Sequence, residues 1–211
     1  MSDSTLHLNY KKYVLDDKLQ YFKPHATKIE NSFADEIKSS LSRDKKFISP
    51  KFFYNIKGSE LFEKICSLPE YYPTRTEISI LEQLQEDLLE YLDESFRLVE
   101  LGSGSSTKTR LILDIFEKFQ SKMEYFPIDI SDILAESSEI LQSHYENLHI
   151  TGIIDTYEGG LEFLKNYDTK KNLIIFLGSS YGNFSPENGV QFLKKIHSTM
   201  KSGDLFLIGL D

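Results

Sequence analysis

A chain of 211 residues, 40% of them hydrophobic, carries enough apolar mass for one substantial core and a small appendage. Its formal charge of -9, with no compensating basic face, argues against a nucleic-acid backbone as the main partner. The opening "MSDSTLHLNYKKYVLDDKLQ" lacks the apolar stretch of a secretory signal, and no run approaches the roughly 18 apolar residues that span a bilayer, so neither export nor a membrane partner is expected.

Before residue 97 the pattern is helical. "KIENSFADEIKSSLSR" is weakly periodic, whereas "SELFEKICSL" and "TEISILEQLQEDLLEYLDE" are amphipathic. Residues 1–96 therefore read as an N-terminal helical cap region folded over the rest, with no Gly/Ser linker between the two. Thr74-x-x-Glu77 has capping-box spacing, which gives Glu77 the task of accepting backbone N–H groups at a helix start. Cys66 is the single cysteine. It excludes internal disulfides and thiolate clusters, suits a reducing, cytoplasmic setting, and falls on an apolar helix face as a structural thiol. Among the five histidines none shows i, i+4 spacing, and His144 and His149 flank a helix-to-strand junction, so no metal site is expected.

From residue 97 to 211, short apolar runs alternate with helical patterns. "RLVELG" is a strand and "TKTRLILDIFEKFQ" a helix with Leu111, Ile112, Ile115, Phe116 and Phe119 on one face. "MEYFPIDI", "NLHITGII", "KKNLIIFLGSS" and "GDLFLIGLD" are further strands, separated by "SDILAESSEILQSHY", "GLEFLKNY" and "PENGVQFLKKIHSTM". This is the pattern of an α/β fold, a Rossmann-like parallel sheet of five strands covered on both faces. The runs "LIIFLG" and "LFLIGL" suit strands buried on both sides. Because the last run ends at Asp211, either a longer protein continues from it or a partner covers that edge, including self-association through the exposed fifth strand. A longer protein continuing past Asp211 is the expectation.

"LVELGSGSSTKTR" places a glycine turn between a strand end and a helix N-terminus, where backbone N–H groups and the positive dipole end meet a ligand. The dinucleotide fingerprint would require glycine or alanine where Thr107 stands, which weakens a nicotinamide-cofactor reading; a purely structural turn also stays open. Asp129 ends the next strand, placed to accept ribose hydroxyls, although Ser131 and Asp132 compete with it as N-caps. Together these suit an adenosine ligand without a pyrophosphate, of which S-adenosylmethionine is the common one. Lys108 opposes the dipole of its helix and either reaches a ligand carboxylate or is a surface lysine. Ser185-Pro186 is an N-cap and N1 pair. Asn183 just before it is either a ligand contact or a turn asparagine tolerating positive φ.

Five stretches in this order, "FFYNIKGSELFEKICSLPEYYPTRTE" (52–77), "LVELGSGSSTKTRLILD" (98–114), "FPIDIS", "FLGSSYGNFSP" and "GDLFLIGLD", resemble the histidine-specific, S-adenosylmethionine-dependent N-methyltransferases of ergothioneine biosynthesis and the related ergot-alkaloid N-methyltransferases. "LPEYYPTRTE" is the specific part, and the likeness covers about residues 45–211. It implies a class I methyltransferase fold and S-adenosylmethionine as cofactor, with Tyr54, Gly102, Lys108 and Asp129 binding it. An Asp-Phe pair flanks the adenine in the family; Thr156-Tyr157 stands there in this chain, with Asp155 one place earlier. Tyr71 and Asn183 match residues that hold the amino and carboxylate groups of the histidine substrate, and no catalytic base is implied. The family continues past residue 211 with a second substrate-binding region, so the resemblance implies little turnover by these 211 residues alone. The substrate is a small amino acid or amine. A tryptophan-derived amine is the alternative to histidine, and a non-catalytic cofactor-binding or interaction module the alternative to an enzyme.

Overall fold

The computed structural model describes residues 9–25, 33–53, 56–104, 107–131 and 133–211. Strands β1 (Tyr10–Val14) and β2 (Leu19–Pro24) form a hairpin, followed by helices α1 (Phe33–Leu41), α2 (Ile56–Cys66), α3 (Pro73–Gln83) and α4 (Gln85–Tyr91). Alternation then begins with β3 (Phe96–Leu101), α5 (Thr107–Glu117), β4 (Met123–Asp129) and α6 (Ile133–Gln142). It continues with β5 (Leu148–Ile154), α7 (Tyr157–Tyr167), β6 (Lys171–Phe176), α8 (Pro186–Thr199) and β7 (Leu205–Ile208).

Among the described residues seven strands join one sheet, in the order β1-β2-β5-β4-β3-β6-β7. Only the β1–β2 pair is antiparallel; β2 runs parallel to β5, with Leu19 opposite Ile150 and Phe22 opposite Ile153. The five parallel strands expected from residue 97 onward are present. From β3 the chain winds outward through β4 and β5, then returns to lay β6 and β7 on the other side of β3. The carboxyl ends of β3 and β6 therefore flank the topological switch point, where open α/β sheets bind ligands.

The sheet separates two apolar layers. On one face Ile112, Leu113, Ile115 and Phe116 of α5 pack with Leu141 of α6 and Leu81 of α3. On the other, Leu161, Phe163 and Leu164 of α7 meet Phe192 and Ile196 of α8. Every residue of β3 is buried, as a strand with neighbours on both edges and helices on both faces requires.

Three expectations are corrected. The stretch before residue 97 is not wholly helical, because residues 10–24 add two strands to the sheet; lysines on this edge hairpin hide the strand pattern, and pairing with β5 stabilises it. The helix expected from Thr74 onward begins at Pro73 and breaks at Leu84 into α3 and α4, so Thr74 is not an N-cap. Its hydroxyl instead donates to Cys66 Sγ at 3.3 Å. Finally β7 is half-buried along its length rather than buried on both sides, since only β6 pairs with it.

Candidate functional site

The glycine turn departs from the end of β3. Gly102 adopts φ +77, a left-handed conformation that favours glycine, and its amide donates to Ile128 O at 2.9 Å. A methyl group at Gly102 would lie 2.9 Å from the Tyr157 hydroxyl, so that phenol reaches across the turn from α7. The Tyr157 ring packs edge-on to Phe176 at 5.5 Å and against Phe192 at 5.9 Å, which fixes its direction.

Asp129, the last residue of β4, closes the other side. Its Oδ1 accepts from the Ser131 amide at 2.9 Å, and the amides of Ser103, Gly104 and Ile130 also act on it. Burial outweighs these donors and raises the carboxyl above the ordinary aspartate value. Ser131, rather than Asp129, supplies the side-chain acceptor at the start of α6, taking the Ile133 amide at 3.2 Å.

Lys108, in the first turn of α5, forms a 2.7 Å ion pair with Glu77 Oε2. The same carboxylate accepts from the Gly178 amide, at 2.8 Å to Oε1 and 3.0 Å to Oε2. The Glu77 carboxylate thus turns away from its own helix to the chain that follows β6 and to the start of α5, beside the switch point. Helix register explains this: with Pro73 at N1, Glu77 stands at N5, two residues beyond the N3 position from which a capping glutamate reaches back.

Thr156 caps α7, its hydroxyl accepting from the Gly159 amide at 3.2 Å, so local structure occupies that side chain. Asp155 stands at the carboxyl end of β5, held by the Thr156 amide at 2.7 Å and by the Tyr10 hydroxyl at 2.6 Å. Tyr71 precedes α3 in a turn pinned by Arg75, whose guanidinium donates to the carbonyls of Leu68 and Pro69. Its ring stands edge-on to Phe62, with centroids 6.1 Å apart. Asn183 ends an exposed 3-10 turn, Ser180–Asn183, and does not have positive φ; in this loop Ser179 is the non-glycine residue that does, at φ 53. Ser185 caps α8 through the Asn188 amide, with Pro186 following, as expected. Tyr54, expected at the cofactor, lies outside the described residues.

Three relevant side chains escaped the sequence reasoning. Glu77 had a local explanation, and Tyr10 lay in a stretch without a motif. Glu100 is the acid before the glycine turn, and its burial was its only signal. It accepts hydroxyl donors from Tyr125 at 2.5 Å and Thr109 at 2.7 Å. Burial pushes its carboxyl up to about 7. Among the described residues there is no cluster that could hold a metal ion, and no helix is long and apolar enough to cross a membrane.

A family model described as histidine-specific, S-adenosylmethionine-dependent methyltransferase matches residues 33–211. The chain is 36% identical over 177 residues to the histidine N-alpha-methyltransferase of Mycobacterium tuberculosis (strain CDC 1551 / Oshkosh), covering 83% of this chain and 54% of that protein. It is 32% identical over 160 residues to ergothioneine biosynthesis protein 1 of Neurospora crassa, covering 75% and 18%. To the 4-dimethylallyltryptophan N-methyltransferase of Claviceps purpurea it is 29% identical over 180 residues, covering 83% and 52%. The chain thus spans about half the length of the histidine N-alpha-methyltransferases it matches. A solved structure from Thermobifida fusca YX, of a protein assigned to the methyltransferases, shares the fold with a TM-score of 0.52 at 13% identity, covering 73% of this chain and 59% of that one.

Proposed function

This chain belongs to the family of histidine-specific, S-adenosylmethionine-dependent methyltransferases, and from that premise we propose that it binds S-adenosylmethionine and takes part in N-methylation of the α-amino group of histidine. The observation that carries the reading is the convergence of Gly102, Lys108 and Asp129 on the carboxyl ends of the parallel strands, within a stretch matched by the family.

The residues fit the cofactor. Gly102 exposes backbone at the end of β3, and a side chain there would be strained. Asp129 offers carboxylate oxygens to ribose hydroxyls, Lys108 a cation to the methionine carboxylate, and Tyr157 an aromatic edge beside the turn. The Thr156 hydroxyl is committed to its helix, so Thr156 contributes backbone only.

The cofactor supplies an electrophilic methyl group on a cationic sulfur. This chain's residues bind and orient. Tyr71 and Asn183 hold the amino-acid end of the substrate with neutral polar groups, which do not raise the amine's proton affinity as a nearby carboxylate would. Orientation of the amine lone pair is the main contribution to the rate, and no side chain of the chain is assigned as catalytic base.

Calorimetric titration with S-adenosylhomocysteine, for the wild type and Asp129→Ala, tests the cofactor site. Saturable binding that the substitution abolishes is the expected result; a folded chain that takes no ligand would refute it. Methyl transfer to histidine set against a tryptophan-derived amine then tests the substrate, the relative from Claviceps being the reason to include the second.

A further inference from the structure

Glu77 belongs to a helix that lies outside the parallel sheet, yet its carboxylate ends at the switch point. Donors from two separate elements hold it there, and a third leaves room for it. The Gly178 amide, following β6, reaches both oxygens, and Lys108 of α5 reaches Oε2. Gly209, following β7, is close enough that a Cβ would stand 2.0 Å from Oε1, so any side chain there would displace the carboxylate. Glu77 and Lys108 are 14% and 25% exposed, which leaves the pair shielded from most solvent but still reachable.

Two opposite charges fixed 2.7 Å apart beside the switch point, where open α/β sheets bind ligands, complement a ligand with both charges on one carbon, an α-amino acid end. We propose that Glu77 is a specificity-determining residue for the cofactor: Lys108 takes the α-carboxylate of the methionine end, and Glu77 takes its α-ammonium. The inference rests on the cofactor reading above. A lysine ammonium has three donors, so Lys108 keeps Glu77 while donating to a ligand. A carboxylate has about four lone-pair sites, so Glu77 accepts a further N–H beside those of Gly178 and Lys108. Because the pair is neutral as a unit, it matches the zwitterion without setting a net negative field on the amine to be methylated.

The test is calorimetric titration of the 211-residue chain with S-adenosylhomocysteine, its deaminated analogue and 5′-methylthioadenosine, which lacks the amino-acid end altogether. The wild type is expected to prefer S-adenosylhomocysteine to the deaminated analogue by about tenfold or more, the size of one charge-assisted hydrogen bond. Glu77→Gln keeps an acceptor for the Gly178 amide and loses the charge; it should bring those two ligands to within about twofold of each other and leave methylthioadenosine unchanged. Glu77→Asp should retain the preference, which keeps the test open should the glutamine variant fold poorly. An unchanged preference in Glu77→Gln, or equal weakening of all three ligands, overturns the proposal. A Glu77-dependent response to free histidine with none to S-adenosylhomocysteine would assign the pair to the amino-acid substrate instead, and also overturns it. A wild type that takes none of the three nucleosides refutes the cofactor reading itself.

Discussion

The hydroxyl of Tyr10, on the outermost strand, donates to Asp155 Oδ2 at 2.6 Å, joining residues 145 positions apart in the chain. The same phenol lies 3.2 Å from Gly159 O, and its ring meets Phe163 edge-on at 5.0 Å. The N-terminal hairpin is thereby tied to the loop where β5 turns into α7, at the ligand end of the sheet.

Tyr10→Phe keeps the ring and removes the bond. A hydrogen bond to a charged acceptor that is only partly shielded contributes about 1–2 kcal/mol. For a chain of this size that corresponds to a fall of roughly 2–8 °C in melting temperature. Thermal unfolding followed by circular dichroism checks it, and an unchanged midpoint would mean that solution does not maintain this contact.

Glu100 makes the fold pH-sensitive in a defined direction. Its carboxyl sits at about 7 in the folded chain against an ordinary 4.5, because burial outweighs the Tyr125 and Thr109 hydroxyls. Between those values the native chain binds more protons than the unfolded one, so this group's contribution to stability is fully present below about pH 4.5 and is lost as pH rises through 7. His149, whose imidazole burial holds below its ordinary value, works in the opposite sense near and below pH 6.5. Comparing the wild type with Glu100→Gln separates the two. Between pH 5.5 and 8 the glutamate should cost on the order of 2 kcal/mol that glutamine, still accepting both hydroxyls, does not. Urea unfolding of both proteins at the two pH values measures it; identical pH profiles would exclude Glu100 as the cause.

At Gly102 two penalties of different origin coincide. Gly102→Ala forces a left-handed backbone on alanine and sets its methyl 2.9 Å from the Tyr157 hydroxyl. The expected destabilisation is about 1–3 kcal/mol, with weaker S-adenosylhomocysteine binding. Adding Tyr157→Phe should recover the steric part and leave the backbone part. A double-mutant cycle on melting temperature reads the coupling, and strict additivity would show that the two groups do not meet.

Arg97 is buried in β3, its guanidinium 4.3 Å above the Phe126 ring. Nε donates to Asn172 and Nη1 pairs with Asp168 at 2.8 Å. Asp168→Ala would take the carboxylate from a buried cation that keeps Asn172 and the Phe126 ring; because the Asp168 side chain is 39% exposed and solvent screens the pair, a loss of about 1–3 kcal/mol is expected. Chemical denaturation checks this; a cost under about 1 kcal/mol, the range of a surface pair, would show that water replaces the carboxylate.

The legible part of the molecule is the part whose causes are local. The parallel core was readable because each element carries its own periodicity: β3 is apolar along its length, α5 has one apolar face, and Ser185-Pro186 announces α8. The local placement of Gly102, Lys108 and Asp129, as distinct from any role toward a ligand, was readable for the same reason, since each occupies a set place relative to the strand beside it. The Thr156 side chain carried two readings in the sequence, because a threonine after a strand serves equally well as a ligand contact or a cap; in the structure its hydroxyl caps α7. The Tyr10–Val14 and Leu19–Pro24 strands were hidden because the hairpin lies at the sheet edge and draws its order from β5, more than a hundred residues away.

The sequence by itself determined the alternation of strands and helices, the glycine turn and the acid that faces it, all through patterns a few residues long. Only the tertiary structure decided that Glu77 serves Lys108 and Gly178 rather than its own helix, that Tyr10 holds Asp155, and that Glu100 keeps a raised carboxyl. For Glu77 and Asp155 the physical reason is that a carboxylate takes the best donors that folding brings to it; for Glu100 it is burial, which outweighs its two hydroxyl donors. Neither donors supplied from distant elements nor burial between layers leaves a periodic trace in the chain.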